Sequence, residues 1–80
     1  MPPLGQFKKL DVRPMLNRGH EPYAEIRKQV DALQAGKGVA VMAPFLPAPL
    51  IEKLGSEGFK SKVARADEGS WITYFWRDTV

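Results

Sequence analysis

The sequence predicts a small α/β domain of the two-layer kind: a mixed four-stranded sheet with two helices on one face, in the order β-α-β-α-β-β. Three observations predict it. Apolar positions at helical spacing (Tyr23, Ile26, Val30, Leu33) lie between two short apolar runs. A second helical stretch, headed by Pro49, follows the second run. Two extended segments then close the chain around a polar turn. A strand–helix–strand unit makes its strands parallel and its crossover right-handed, and the terminal hairpin adds an antiparallel pair.

Eighty residues make one domain. A chain this short buries about 60% of the surface its unfolded form exposes, so its net stability should be a few kcal/mol. With 44% hydrophobic and 26% charged residues it is too apolar to stay disordered. Residues 1–6, with two prolines and a glycine, read as a flexible tail, and residues 7–78 as the single domain.

The first strand is expected over Phe7 to Arg13, where Leu10-Asp11-Val12-Arg13 alternates and Pro14, lacking an N–H, ends the ladder. Asn17-Arg18-Gly19 reads as a turn. Pro22 suits the first helical position and Glu21 and Glu25 its positive end. Tyr23, Ile26, Val30 and Leu33 share the buried face, with Arg27, Lys28 and Asp31 outside. Gly36 is the expected C-terminal cap, beside Lys37. Val39 to Ala43 is a nearly unbroken apolar run that suits a central strand. Pro44, Pro47 and Pro49 stiffen a loop around Phe45 and Leu46, and the next helix buries Leu50, Ile51 and Leu54. Gly58 ends it, letting Phe59 fold back on Leu54. Phe59 to Ala66 and Trp71 to Arg77 form the hairpin, turned by Asp67-Glu68-Gly69-Ser70.

The absence of cysteine excludes disulfides, thiolate nucleophiles and thiolate metal sites together. It carries no sign of an oxidising compartment. The opening residues lack the apolar core of a signal peptide, and no run approaches the ~20 residues of a membrane span. A cytoplasmic location is therefore expected. The net charge is +3, but acids are interleaved with the bases. That describes a solvated surface better than a nucleic-acid footprint. No serine or threonine (Ser56, Ser61, Ser70, Thr73, Thr79) sits in a nucleophile motif. His20 with Asp11 lacks a nucleophile to activate, so no catalytic residue is assigned.

A leading Leu10-Asp11-Val12-Arg13-Pro14, then Gly19-His20-Glu21-Pro22, then Ala43-Pro44-Phe45-Leu46-Pro47-Ala48-Pro49-Leu50, Leu54 with Gly58-Phe59, and finally Trp71 form an ordered set of short motifs. In order and spacing the set resembles the TusA/SirA-like sulfur-carrier family, over about residues 8 to 77. It looks closest to an uncharacterised branch of that superfamily, a domain of unknown function. Such carriers hold a Cys-Pro-x-Pro motif at the head of the first helix, where the thiolate bears a persulfide. Here Gly19-His20-Glu21-Pro22 stands at that place and only Pro22 matches. Persulfide carriage by that route is excluded. The resemblance implies a non-catalytic accessory or binding module that needs no cofactor. Its usual sheet order would put the last strand inside the sheet, beside the second.

Three places are candidate sites. The first is the mouth of the first helix, where Arg13, Asn17, Arg18, Gly19, His20 and Glu21 suit an anion or small ligand held by helix N–H groups and arginine. The alternatives there are a plain capped turn, or a redox- or metal-linked role for His20, which is a weak metal signal without a second ligand at spacing. The second is the last strand. With Trp71, Thr73 and Phe75 toward the helices, Ile72, Tyr74 and Trp76 fall on the open face near Ala40 or Met42. That much aromatic area suits an interface with a partner protein or a second copy. Alternatively the tail (Pro2, Pro3, Leu4, Phe7) covers it, or the aromatics stack bases beside Lys60 and Lys62. The third is the Phe45 loop at the C-terminal edge of the parallel strands. There Phe45 and Leu46 can wall a pocket floored by Asn17, Arg18 and His20, unless Phe45 is tucked into the core.

Overall fold

A computed structural model of the chain describes residues 2–66 and 69–77. Asp67 and Glu68 of the expected hairpin turn, Asp78 at the expected domain end and Thr79 lie outside the described residues. The sandwich is present: strands β1 (Phe7–Asp11), β2 (Gly38–Ala43), β3 (Lys60–Arg65) and β4 (Trp71–Trp76) form one sheet in the order β1-β2-β4-β3. β1 and β2 are parallel, and β4 runs antiparallel to both β2 and β3. The helices are α1 (Arg13–Asn17), α2 (Tyr23–Asp31) and α3 (Ala48–Ser56), preceded by a 3-10 turn at Leu4–Gln6.

Two local expectations are corrected. The first strand ends at Asp11 rather than Arg13, and the next residues coil into α1. The cause is local: the Asp11 carboxylate accepts the Arg13 backbone N–H at 3.0 Å, which turns the chain. Pro14, in the first turn of α1, then brings a φ already suited to a helix. The proline expected to stop a strand thus starts a helix, and the described residues hold three α-helices rather than two. The second correction concerns Gly36. α2 ends at Asp31 with Ala32 as its cap, and Gly36 instead turns the chain into β2 at φ 81°.

α1 and α3 close in the same way. Gly19 (φ 75°) and Gly58 (φ 93°) take the left-handed conformation just past the helix end. After α1 the Gly19 N–H donates to Leu16 O and the His20 N–H to Met15 O. After α3 the Gly58 N–H donates to Gly55 O and the Phe59 N–H to Leu54 O. These paired bonds satisfy last-turn carbonyls that would otherwise be orphaned. At the end of α3 the motif also packs Phe59 and Leu54 into the core, as the sequence predicts.

The core lies between the sheet and the helix layer. Val39, Val41 and Ala43 of β2 and Thr73 and Phe75 of β4 meet Ile26 and Val30 of α2 and Leu50 and Leu54 of α3. Every residue of β2 is buried, as befits a strand flanked on both sides. Across the helix layer, Arg27 of α2 pairs with Glu57 at the end of α3 and with Asp31. The hydrogen bond from Arg27 holds the Glu57 carboxyl below the usual carboxylate range. The Arg77 guanidinium lies 4.2 Å over the Phe59 ring. On the exposed edge, β3 carries Lys60, Lys62 and Arg65, charges that discourage pairing with another sheet.

Thr73 sets a hydroxyl among the apolar side chains of this layer. Thr73 is fully buried, in register between Val41 and Val63, and its Oγ1 has no hydrogen-bond partner among the described residues. A buried, unsatisfied hydroxyl is destabilising by about 1–3 kcal/mol. Thr73→Val is therefore expected to stabilise the fold by about 1 kcal/mol and to raise the thermal midpoint by about 4–8 °C. A melt that moves the other way would show that the hydroxyl is satisfied in solution.

Candidate functional site

Alternation along the strands divides the side chains between two faces, and the register aligns them in rows. On the face away from α2 and α3 one row reads Phe7, Gly38, Trp76, Lys60, the next Lys9, Ala40, Tyr74, Lys62, and the third Asp11, Met42, Ile72, Ala64. Met42, Ile72, Tyr74 and Trp76 thus share one surface. The tail covers it only in part. The Phe7 ring crosses above Gly38 and meets Tyr74 and Trp76 edge to face, with centroids 5.1 and 6.2 Å away. Trp76 is buried by this cluster, whereas Ile72 and Tyr74 stay half-exposed and Leu4 is 64% exposed. Between them lies a shallow groove of about 210 Å³, floored by Ala40 and Met42 and walled by Leu4, Phe7, Ile72 and Tyr74, with Lys9 at its rim.

The residues expected at the first helix mouth are each held by local bonds. Arg13 is held by Asp11, through Nε at 2.9 Å and a second nitrogen at 2.6 Å, and also reaches Ser70 Oγ at 3.3 Å. This hydrogen-bonded pairing keeps the Asp11 carboxyl below its ordinary value. Asn17 ends α1 and Arg18 caps it. The backbone N–H groups of Arg18, Gly19 and His20 all donate to α1 carbonyls. The Glu21 carboxylate accepts the Tyr23 N–H at 2.9 Å and so caps the first turn of α2. The His20 side chain is exposed. Among the described residues no group of three or more His, Cys, Asp or Glu side chains converges as metal ligands would. No helix among them is long and apolar enough to cross a membrane.

A pocket does form under the Phe45 loop, at the C-terminal ends of β1 and β2, with a volume of about 270 Å³. Its floor differs from the expected polar one. Asn17, Arg18 and His20 do not line it; Val12, Ile26, Val41, Ala43 and Leu50 do. The reason is the extra helix. α1 takes up residues 13–17 and turns the His20 loop back on itself, and buried side chains from the strand ends fill the space. Phe45 is 47% exposed and stands at the wall of the pocket rather than in the core. The apolar floor was missed because Val12, Val41 and Ala43 read simply as strand residues. The spacing of Pro44, Pro47 and Pro49 was the available signal that this loop stands off the sheet.

Together these features define a small two-layer α+β sandwich with one sheet face left open by its helices and an apolar pocket beneath the loop on the other. The chain belongs to the family described as Uncharacterized conserved protein (DUF2249), whose model matches residues 9–77. No curated protein and no solved structure matches the chain.

Proposed function

We propose that the chain is a non-catalytic protein-interaction module built on a scaffold of the TusA/SirA sulfur-carrier kind. The observation that carries the reading is the open sheet face, where half-exposed Tyr74 and Ile72 border an apolar groove. The scaffold likeness draws support from the sheet order, which sets the last strand inside the sheet beside the second. With no cysteine in the chain, the likeness extends to the fold and not to persulfide chemistry.

Charge selects the partner. Lys9 and Lys62 end the middle row of the open face on opposite edges of the sheet, and both are exposed. If two copies met face to face with strands aligned, about a two-fold axis through the middle row, Lys9 would oppose either Lys9 or Lys62 of the other copy. Like charges so placed are unfavourable. An acidic partner segment that inserts an apolar side chain between the lysines meets no such penalty.

Selection of displayed peptides on the intact protein tests this. Bound sequences are expected to pair Asp or Glu with a leucine or aromatic residue. Lys9→Glu combined with Lys62→Glu, two surface changes that leave the core alone, should weaken the best peptide by at least about tenfold, or ~1.4 kcal/mol. Selected peptides without acidic residues, or binding indifferent to the charge reversal, would exclude this surface as the contact.

A further inference from the structure

The pocket under Phe45 lies on the opposite side of the sheet from the open face, and its chemistry is distinct. Four features describe it. Its floor is built from side chains with almost no exposure: Val12 and Val41 at 1%, Ala43 at 2%, Ile26 at 3%. Phe45 and Tyr23, 47% and 37% exposed, line it and also reach solvent. Pro22, Pro47 and Pro49 lie in its walls, so much of that backbone is already restricted before any ligand arrives. Among the described residues that line it, only Glu21 is charged.

Glu21 decides the class of ligand. Its Oε1 accepts the Tyr23 N–H, and the residue lines the pocket at its exposed edge. Four N–H groups nearby are already bonded: those of Arg18, Gly19 and His20 to α1, and that of Tyr23 to Glu21 itself. An anionic ligand would meet a carboxylate of like sign. A donor or a cation would meet an acceptor.

We propose that this pocket binds a small aromatic or branched aliphatic molecule bearing an N–H donor or an ammonium group, with the apolar body on Val41 and Ala43 and the polar head toward Glu21. At about 270 Å³ the space sits just below the ~300–1,000 Å³ range of small-molecule sites, which suits one ring system.

Indole, tryptamine and indole-3-acetate share a ring system and differ in charge, so amide NMR titrations of the full chain with each separate the possibilities. Indole and tryptamine are expected to give saturable shifts centred on Val41, Ala43, Tyr23 and Phe45, at affinities between micromolar and millimolar. Indole-3-acetate should bind about threefold more weakly than tryptamine, the size of one partly exposed charge contact. Glu21→Gln, which keeps an acceptor for the Tyr23 N–H, should abolish that difference and leave indole unchanged. Phe45→Ala removes an exposed wall without touching the core and should weaken all three about fivefold. The proposal is overturned by any of the following: no saturable shift with indole or tryptamine at ~10 mM, tighter binding of the acetate, a cation–anion difference that survives Glu21→Gln, or affinities indifferent to Phe45→Ala.

Discussion

Phe75→Ala is expected to lower the free energy of unfolding by about 3–5 kcal/mol, an amount comparable to the whole stability of a domain this small. Phe75 has no solvent exposure and lies on β4, the strand held between β2 and β3. It pairs in register with Val39 and Ser61 and belongs to the cluster that joins the sheet to α2 and α3. Truncation removes the ring's burial and leaves a void that the flanking strands, tied by ladder bonds on both sides, cannot close. The expected result is a chain largely unfolded in dilute buffer, read by circular dichroism and urea titration. Phe75→Leu, which keeps most of the volume, should lose about 1–1.5 kcal/mol and remain folded, so the effect stays measurable. A loss below about 1 kcal/mol for Phe75→Ala would place the energetic centre of the core elsewhere.

Gly38→Ala is expected to destabilise by about 1–3 kcal/mol, through crowding rather than a cavity. A Cβ on Gly38 would lie 2.8 Å from the Phe75 carbonyl oxygen and closer still to the Phe7 ring that rests on this position. The ring has to move, and with it go its edge-to-face contacts to Tyr74 and Trp76. Intrinsic fluorescence should report the change, because Trp76 is buried by that packing. In a Phe7→Ala background the larger obstacle is already absent and only the carbonyl contact remains. The two substitutions should therefore lose at least about 0.5 kcal/mol less together than their separate effects sum to. Strict additivity would mean that the Phe7 ring does not lie on Gly38 in solution.

Much of the architecture was readable because its signals are local. Ile26 and Val30 fall one helical turn apart, and both are buried. Gly58 followed by Phe59 encodes a helix stop with its own hydrophobic contact, and both parts of that motif form. The errors arose where a local signal serves two structures. Pro14 is compatible with the end of a strand and with the first turn of a helix. The bond from the Arg13 N–H to Asp11 selects the second. Gly36 suits a helix cap and a turn alike, and the helix had already ended at Asp31. The candidate sites were only partly readable for a related reason. The grouping of Met42, Ile72, Tyr74 and Trp76 follows from alternation and strand order. The apolar floor beneath Phe45 depends on where a loop, two helices and two strand ends meet.

Read along the chain alone, the residues already show a small sandwich, helices that bury the face carrying Ile26, Val30, Leu50 and Leu54, and no cysteine chemistry. These follow from periodicity, turn residues and composition, each of which acts over a few neighbours in the chain. The assembled fold was needed to show that Phe7 crosses Gly38 to cover Trp76 while leaving Tyr74 half-exposed, and that the space behind Glu21 is lined by Val12, Val41 and Ala43 instead of by polar groups. Both outcomes bring together residues far apart in sequence. Pairing register and side-chain volume set them, and neither quantity is written in any short stretch of chain.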